Sequence, residues 1–315
     1  MAIPVTPIPV TVITGFLGAG KSTLVERWVR ERPRDETAVI VNERGDVGID
    51  GALLASHVAR LREITGGCVC CATQQELALA LAELADATPP PARVLVETSG
   101  AASPAGVIRA LARGAARERL RLDGVVTVVD ASRIERALGF ELALEQLAFA
   151  DLVVMTHADR CAGDALDALE GRLGALAPGA PVVRARRGEI GETLASLLAR
   201  RAEVLRVLPA EAEAAAHGFD AVAVSLDASL DEDRFGDWVE AALGDVEARI
   251  LRVKGILAID GVDARVVLQG VGDAVEVSLG APWGEAPRQS RLVVVGLDLD
   301  VAALERGFLA CAVAR

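Results

Sequence analysis

Residues 10–23 read VTVITGFLGAGKST, an apolar β-rich run that passes through glycines into a helical pattern. Gly15, Gly20, Lys21 and Ser22 satisfy G-x-x-x-x-G-K-[ST], and that context dictates a strand, a tight loop and a helix in succession. The pattern follows from phosphate chemistry. Glycines let backbone amides turn inward around phosphate oxygens, and the start of the helix adds its positive end. Lys21 can then reach the β- and γ-phosphates, and Ser22 can ligate Mg2+.

The first half of the chain continues in the same manner. PVTVITG, TAVIVNE, RVLVETSG, GVVTVVDA, DLVVMTHAD and APVVRA read as strands, and helical patterns fall at about 22–32, 73–86, 104–117, 140–149, 164–175 and 190–201. Alternating βα units predict a mostly parallel sheet flanked by helices, with functional loops gathered at its carboxyl edge. Ser103-Pro104 fits a helix cap followed by proline in the first turn. After a linker-like stretch, RVLPAEAEAAAHG, the pattern changes to a smaller α+β domain. It comprises a strand in FDAVAVSL, a helix with Phe235, Trp238, Val239 and Leu243 at helical spacing, further strands, and a last helix near 300–312. The expected division is 1–205 for the phosphate-loop domain, 206–217 for the linker and 218–315 for the second domain.

Composition limits the partners. A net charge of −12 repels nucleic acid and anionic membrane alike in the absence of a basic patch, and none is visible. With no signal-peptide layout at the start and no apolar run near the roughly 18 residues of a membrane span, the expected location is cytoplasmic. Lysine occurs only at 21 and 254 and asparagine only at 42, although Lys and Arg total 33. Where arginine has replaced lysine so widely, the two surviving lysines are candidates for positions that need a slim ammonium. For Lys254 the competing reading is a surface strand lysine left by chance.

Three further loops carry chemistry. In VLVETSG, Glu97 at a strand end suits a water-mediated Mg2+ contact, and the Gly100 amide can meet a γ-phosphate. In DLVVMTHAD, Asp159 stands where the aspartate of the guanine motif N-K-x-D accepts from guanine N1 and N2. Thr156 and His157 replace the Asn and Lys of that motif, and His157 is expected along the base plane. In GGCVCC, Cys68, Cys70 and Cys71 lie within four positions. Thr73 and Glu76 have capping-box spacing, which predicts a helix from Thr73 with the thiols just ahead of its N-terminus. That position lowers thiol pKa and favours thiolates, ligands for Zn2+ or a neighbouring transition metal. A single cluster lacks the two separated pairs of a closed structural site, and so suits handing metal on. A redox switch or inert loop thiols are the alternatives. Cys161 and Cys311 stand alone and are expected to be buried.

GFLGAGKST, VNERGDVGID, GGCVCC, ETSG, FADLVVMTHAD and RVKG together resemble the CobW family of metallochaperone GTPases over nearly the whole chain. The resemblance implies a P-loop GTPase domain followed by a CobW C-terminal domain, with GTP hydrolysis coupled to insertion of Zn2+ or Co2+ into a client metalloprotein or a metal-cofactor biosynthesis enzyme. It carries phosphate contacts to Gly18, Ala19, Gly20, Lys21, Ser22 and Thr23, Mg2+ contacts to Ser22 and Glu97, and metal ligation to the C-x-C-C cysteines, with Glu43 as a nearby carboxylate able to fill a remaining position. Asn42 to Asp50 matches the family's segment after the phosphate loop and is expected to act as a switch. Ser103 stands where the family often has Asp. With three histidines, at 57, 157 and 217, the chain lacks the histidine-rich segment of many relatives, which favours delivery over storage. A nucleotide-binding metal sensor or buffer without coupled turnover is the alternative. A nickel-delivery G protein is disfavoured by the few histidines and the second domain.

Overall fold

The computed structural model describes residues 7–30, 36–41, 60–63, 71–112, 119–177, 179–186, 189–193, 196–198, 220–244, 249–271, 274–297 and 299–313. Asn42, Glu43, Cys68, Cys70, the switch segment to Asp50 and the expected linker at 206–217 lie outside them. The chain divides into two units, one formed by 1–173 with 181–199 and the other by 174–180 with 200–315.

In the first unit the phosphate loop joins β1 (Ile8–Thr14) to α1 (Lys21–Arg30). There follow β2 (Thr37–Val41), β3 (Arg60–Glu63), α2 (Cys71–Ala85), β4 (Arg93–Glu97), α3 (Ala105–Ala112) and β5 (Leu120–Asp130). The unit continues through α4 (Ile134–Ala137), α5 (Glu141–Ala148), β6 (Leu152–Thr156), a 3-10 turn (Ala158–Arg160), α6 (Gly163–Leu176), whose last three residues are assigned to the other unit, and β7 (Val182–Arg184). The seven strands form one sheet in the order β3-β2-β4-β1-β5-β6-β7, and every pairing is parallel. All residues of β2 and β6 are buried, as expected for apolar runs covered on both faces. On α1, Leu24, Val25, Trp28 and Val29 repeat at helical spacing and pack with Ile13, Val39, Leu95 and Val128. This packing fixes the helix, and with it the end of the phosphate loop, against the sheet.

Several elements differ from the sequence expectation. RLRE forms the edge strand β3, which the sequence pattern did not reveal. α2 begins at Cys71, two residues before Thr73, so Cys71 lies in the first helical turn and Thr73 is not the cap. Of the helix expected at 190–201, residues 196–198 are helical. Glu189 instead bridges Arg186 and residues 191–193 are irregular. Ser103 does cap α3, its Oγ accepting from the Ala105 amide at 3.1 Å while donating to Glu145 at 2.7 Å. Cys161 is half-buried rather than buried, whereas Cys311 is buried. Burial pushes the Cys311 thiol pKa up.

The second unit contains β8 (Asp220–Leu226), α7 (Glu232–Gly244), β9 (Arg249–Leu257), β10 (Ala264–Val271), β11 (Ala274–Pro282), β12 (Ser290–Leu297) and α8 (Val301–Ala310). Its sheet runs β11-β10-β9-β12-β8, antiparallel throughout. Phe235 and Trp238 of α7 meet Phe308 of α8 with ring centroids 5.7–6.2 Å apart, giving this unit its own core. Lys254 lies in β9 opposite Gln269 and Val293 and is 5% exposed, so it is not a surface lysine. Among the described residues no helix is long and apolar enough to cross a membrane.

Candidate nucleotide site at the carboxyl edge

β1 lies between β4 and β5, so the loop after it opens at the carboxyl edge of the sheet, the usual ligand position in such folds. Gly15, Gly18 and Gly20 adopt φ of 140°, 74° and 93°. At Gly15 a side chain is excluded twice over. The backbone conformation is one that L-residues avoid, and a Cβ would stand 2.1 Å from the carbonyl oxygen of Val128 on β5. The loop therefore lies directly against the neighbouring strand. Phe16 stacks on Phe140 at 4.9 Å, and both line an apolar pocket of about 390 Å3 with Leu17, Val128, Ile134 and Leu147.

Lys21 is 8% exposed, and its Nζ donates to the carbonyls of Gly15 at 2.9 Å and Phe16 at 3.4 Å. The ammonium thus lies folded within its own loop. Ser22 Oγ donates to Glu97 Oε1 at 2.8 Å, which joins the start of α1 to the end of β4. A hydroxyl and a carboxylate are hard oxygen donors, the set that suits Mg2+. Thr23 is exposed on the same turn. Thr98 Oγ1 lies 2.9 Å from Thr14 Oγ1, closing β4 onto β1. Gly100 then passes so near the phosphate loop that a Cβ would come within 2.8 Å of both N and Cα of Leu17. Gly100→Ala is expected to displace that loop and weaken nucleotide binding by about tenfold, as over-packing against backbone commonly costs ~1–3 kcal/mol. Isothermal titration with GTP checks this, and an unchanged affinity contradicts it.

On the other side of β1, Thr156 Oγ1 donates to the carbonyl of Ala19 at 2.7 Å, with Val129 O at 3.1 Å. His157 follows in the left-handed region at φ 53°, the one non-glycine residue so placed among the described residues. Its Nδ1 is 3.3 Å from Asp130 Oδ2. Asp159 is exposed in the 3-10 turn. The structure thus brings Gly15, Ala19, Lys21, Ser22, Glu97 and Gly100 together around one loop and puts His157 and Asp159 two strands away on the same edge. Thr156, which in the sequence only stands at the Asn position of the guanine motif, holds the phosphate loop, and Asp130 joins the site without a motif to mark it. The only signal for Asp130 was its place at the end of the strand GVVTVVDA.

The row of strand ends reaches further. Glu97 of β4 is in register with Ile13 of β1 on one side and Val41 of β2 on the other, and Val41 is in register with Glu63 of β3. Asn42 and Glu43 follow Val41 directly. GGCVCC begins three residues after Glu63 and ends with Cys71, which the structure places by its backbone at the start of α2.

These elements define a phosphate-loop nucleotide-binding protein with a separate antiparallel C-terminal unit. The nucleotide-binding domain of CobW/HypB/UreG matches residues 9–184, and the cobalamin synthesis protein cobW C-terminal domain matches 219–312. The zinc chaperone YjiA of Escherichia coli is 31% identical, with 96% of this chain and 98% of that protein aligned. The zinc chaperone CobW of Pseudomonas aeruginosa is 33% identical over 94% of this chain and 89% of that protein. The crystal structure of Zn(II)-bound YjiA GTPase from E. coli superposes with a TM-score of 0.72 at 26% identity, covering 98% of this chain and 100% of that one. The chain belongs to the CobW family.

Proposed function

We propose that this protein is a cytoplasmic GTPase metallochaperone in which the nucleotide state governs a thiolate site for Zn2+, with Co2+ as a second candidate cargo. The proposed client is a metalloprotein or a metal-cofactor biosynthesis enzyme. The observation that carries this reading is the alignment of Glu97, Val41 and Glu63 along one strand edge. The carboxylate bonded to Ser22, the start of the Asn42 segment and the approach to the cysteines leave the sheet from adjacent strands, each ~4.8 Å from the next. In this reading a change beside the nucleotide's phosphates passes along these strand ends toward the cysteine motif that follows β3 in the sequence.

In this reading Lys21 exchanges its two loop carbonyls for β- and γ-phosphate oxygens when nucleotide enters, and the loop amides from Gly18 to Thr23 cradle the phosphates. Ser22 and, through water, Glu97 hold Mg2+, which supplies positive charge to the phosphate oxygens. The Gly100 amide meets the γ-phosphate. Asp159 and His157 take the base, Asp159 accepting from the paired donors of guanine. Cys68, Cys70 and Cys71 hold the metal, with Glu43 or water completing the set. Binding shifts the metal site only if metal affinity differs between GTP and GDP states.

Zn2+-stimulated GTP turnover is the test. A rise in the GTP hydrolysis rate on adding Zn2+ is expected, while nucleotide binding without turnover identifies a sensor or buffer instead. For base choice, Asp159→Asn is expected to lose the preference for GTP over ATP, because an amide cannot accept from both guanine donors. Competition between the two nucleotides measures it, and unchanged selectivity puts base choice elsewhere.

A further inference from the structure

The hydrogen bonds around His157 determine which of its ring nitrogens carries the proton. Thr156 Oγ1 has a single hydrogen, and two carbonyls, Ala19 O at 2.7 Å and Val129 O at 3.1 Å, can only accept it. Toward His157 Nδ1, 3.3 Å away, Thr156 can therefore offer only a lone pair. The second neighbour of Nδ1 is Asp130 Oδ2, also at 3.3 Å. The other carboxylate oxygen, Oδ1, is engaged by the Ser132 amide at 2.9 Å and the Ser132 hydroxyl at 2.6 Å, which fixes the rotation of the carboxylate. Two acceptors face Nδ1, and among the described residues no donor stands within hydrogen-bond distance of it. Neutral His157 must carry its proton on Nδ1 and keep a lone pair on Nε2.

The backbone agrees with a function for this arrangement. His157 occupies the left-handed region, which is unfavourable for a residue with a Cβ, directly after the threonine that holds the phosphate loop. Its side chain is 32% exposed, in contrast to Asp130 at 9%, so part of the ring stays accessible while its carboxylate partner is buried.

We propose that Asp130 is a positioning residue for nucleotide recognition. Together with Thr156 it locks His157 in the Nδ1–H tautomer, so that Nε2 accepts a hydrogen bond from a donor on the nucleoside, either an N–H of the base or a hydroxyl of the ribose. This deepens the GTPase reading and rests on it. It also explains how a histidine serves where the guanine motif has lysine. Lysine offers only donors, whereas this imidazole is set as an acceptor, the same polarity as the Asp159 carboxylate. Asp130 touches no nucleotide in this scheme and acts through the ring.

Asp130→Asn separates the effect from simple loss of structure. The Asn oxygen can still accept from Ser132, which turns its NH2 toward Nδ1, and the imidazole must then accept there and carry its proton on Nε2. With three histidines in the chain, 15N-histidine NMR resolves the ring, and the signal lost in His157→Gln assigns it. With the ring in its neutral form, which the 15N shifts themselves identify, the nucleotide-free wild type is expected to show Nδ1–H, and Asp130→Asn to show Nε2–H. GTP affinity is expected to fall about tenfold in Asp130→Asn and to recover in part in Asp130→Glu. Inosine triphosphate, which lacks the exocyclic amine, 2′-deoxy-GTP and 3′-deoxy-GTP, each lacking one hydroxyl, and N1-methyl-GTP, which lacks the N1 hydrogen, locate the donor. The analogue missing it binds wild type and Asp130→Asn alike. A wild-type Nε2–H tautomer overturns the proposal, as does an inverted tautomer in Asp130→Asn with unchanged GTP affinity. Because the tautomer is read without nucleotide, a wild type with the expected Nδ1–H tautomer that binds no GTP overturns the GTPase reading and, with it, the recognition role.

Discussion

Lys21→Ala is expected to lower GTP turnover by at least about 10²–10³-fold, the loss seen when one charge-stabilising donor is removed from a preorganised site. A lysine ammonium makes a charge-assisted contact, and Lys21 is the one lysine in the phosphate loop, so the effect belongs at or beyond the upper end. The fold is expected to survive. The ammonium donates to the carbonyls of Gly15 and Phe16, and losing those two bonds costs about 1–3 kcal/mol, whereas α1 remains held by Leu24, Val25, Trp28 and Val29. Lys21→Arg is also expected to fail, because a guanidinium fork is too broad for a group that is 8% exposed between its own loop carbonyls. Phosphate release measured alongside circular dichroism separates the two effects. Turnover within twofold of wild type in a folded Lys21→Ala protein refutes the assignment of the loop.

Cys70→Ser is expected to weaken Zn2+ binding by more than about 100-fold in the Mg2+·GTP state, exceeding the 10–100-fold typical of residues that only support a ligand. A serine hydroxyl stays protonated and hard where a thiolate is ionised and soft, so the near-isosteric change removes a ligand without altering volume. The start of α2 at Cys71 strengthens this expectation. The last cysteine of the motif, Cys71, is itself in the first helical turn, at the end of a helix that favours thiolate. Direct titration with Zn2+ checks the loss, and an affinity equal to wild type contradicts the ligand role.

The phosphate loop was legible because its chemistry demands fixed residue types at fixed spacing, and the buried parallel strands because they read as continuous apolar runs. What escaped lacked such a signal. RLRE, on the edge of the sheet, is short and three-quarters charged, so neither alternation nor an apolar run marks it as β3. LRVKGIL alternates like a strand with one wet face, yet β9 lies in the middle of the five-stranded sheet and Arg252 and Lys254 are 1% and 5% exposed. The contact between Asp130 and His157 spans 27 positions and exists only because β5 and β6 pair with Asp130 opposite Thr156. That register is a property of the folded sheet. Ser22 and Glu97 were each assigned to Mg2+ from motif position alone, and their direct hydrogen bond emerges only when β4 lies beside β1.

The central claim is that the nucleotide's phosphates and the cysteine cluster form one thermodynamic unit through neighbouring strand ends. Zn2+ titration of the wild-type protein with Mg2+ and a non-hydrolysable GTP analogue, against the same titration with GDP, measures that coupling directly. The account predicts an affinity tighter by at least about fivefold with the analogue, the lower bound for a coupling of ~1 kcal/mol. Equal affinity in the two states contradicts it, even if the cysteines bind the metal tightly in both.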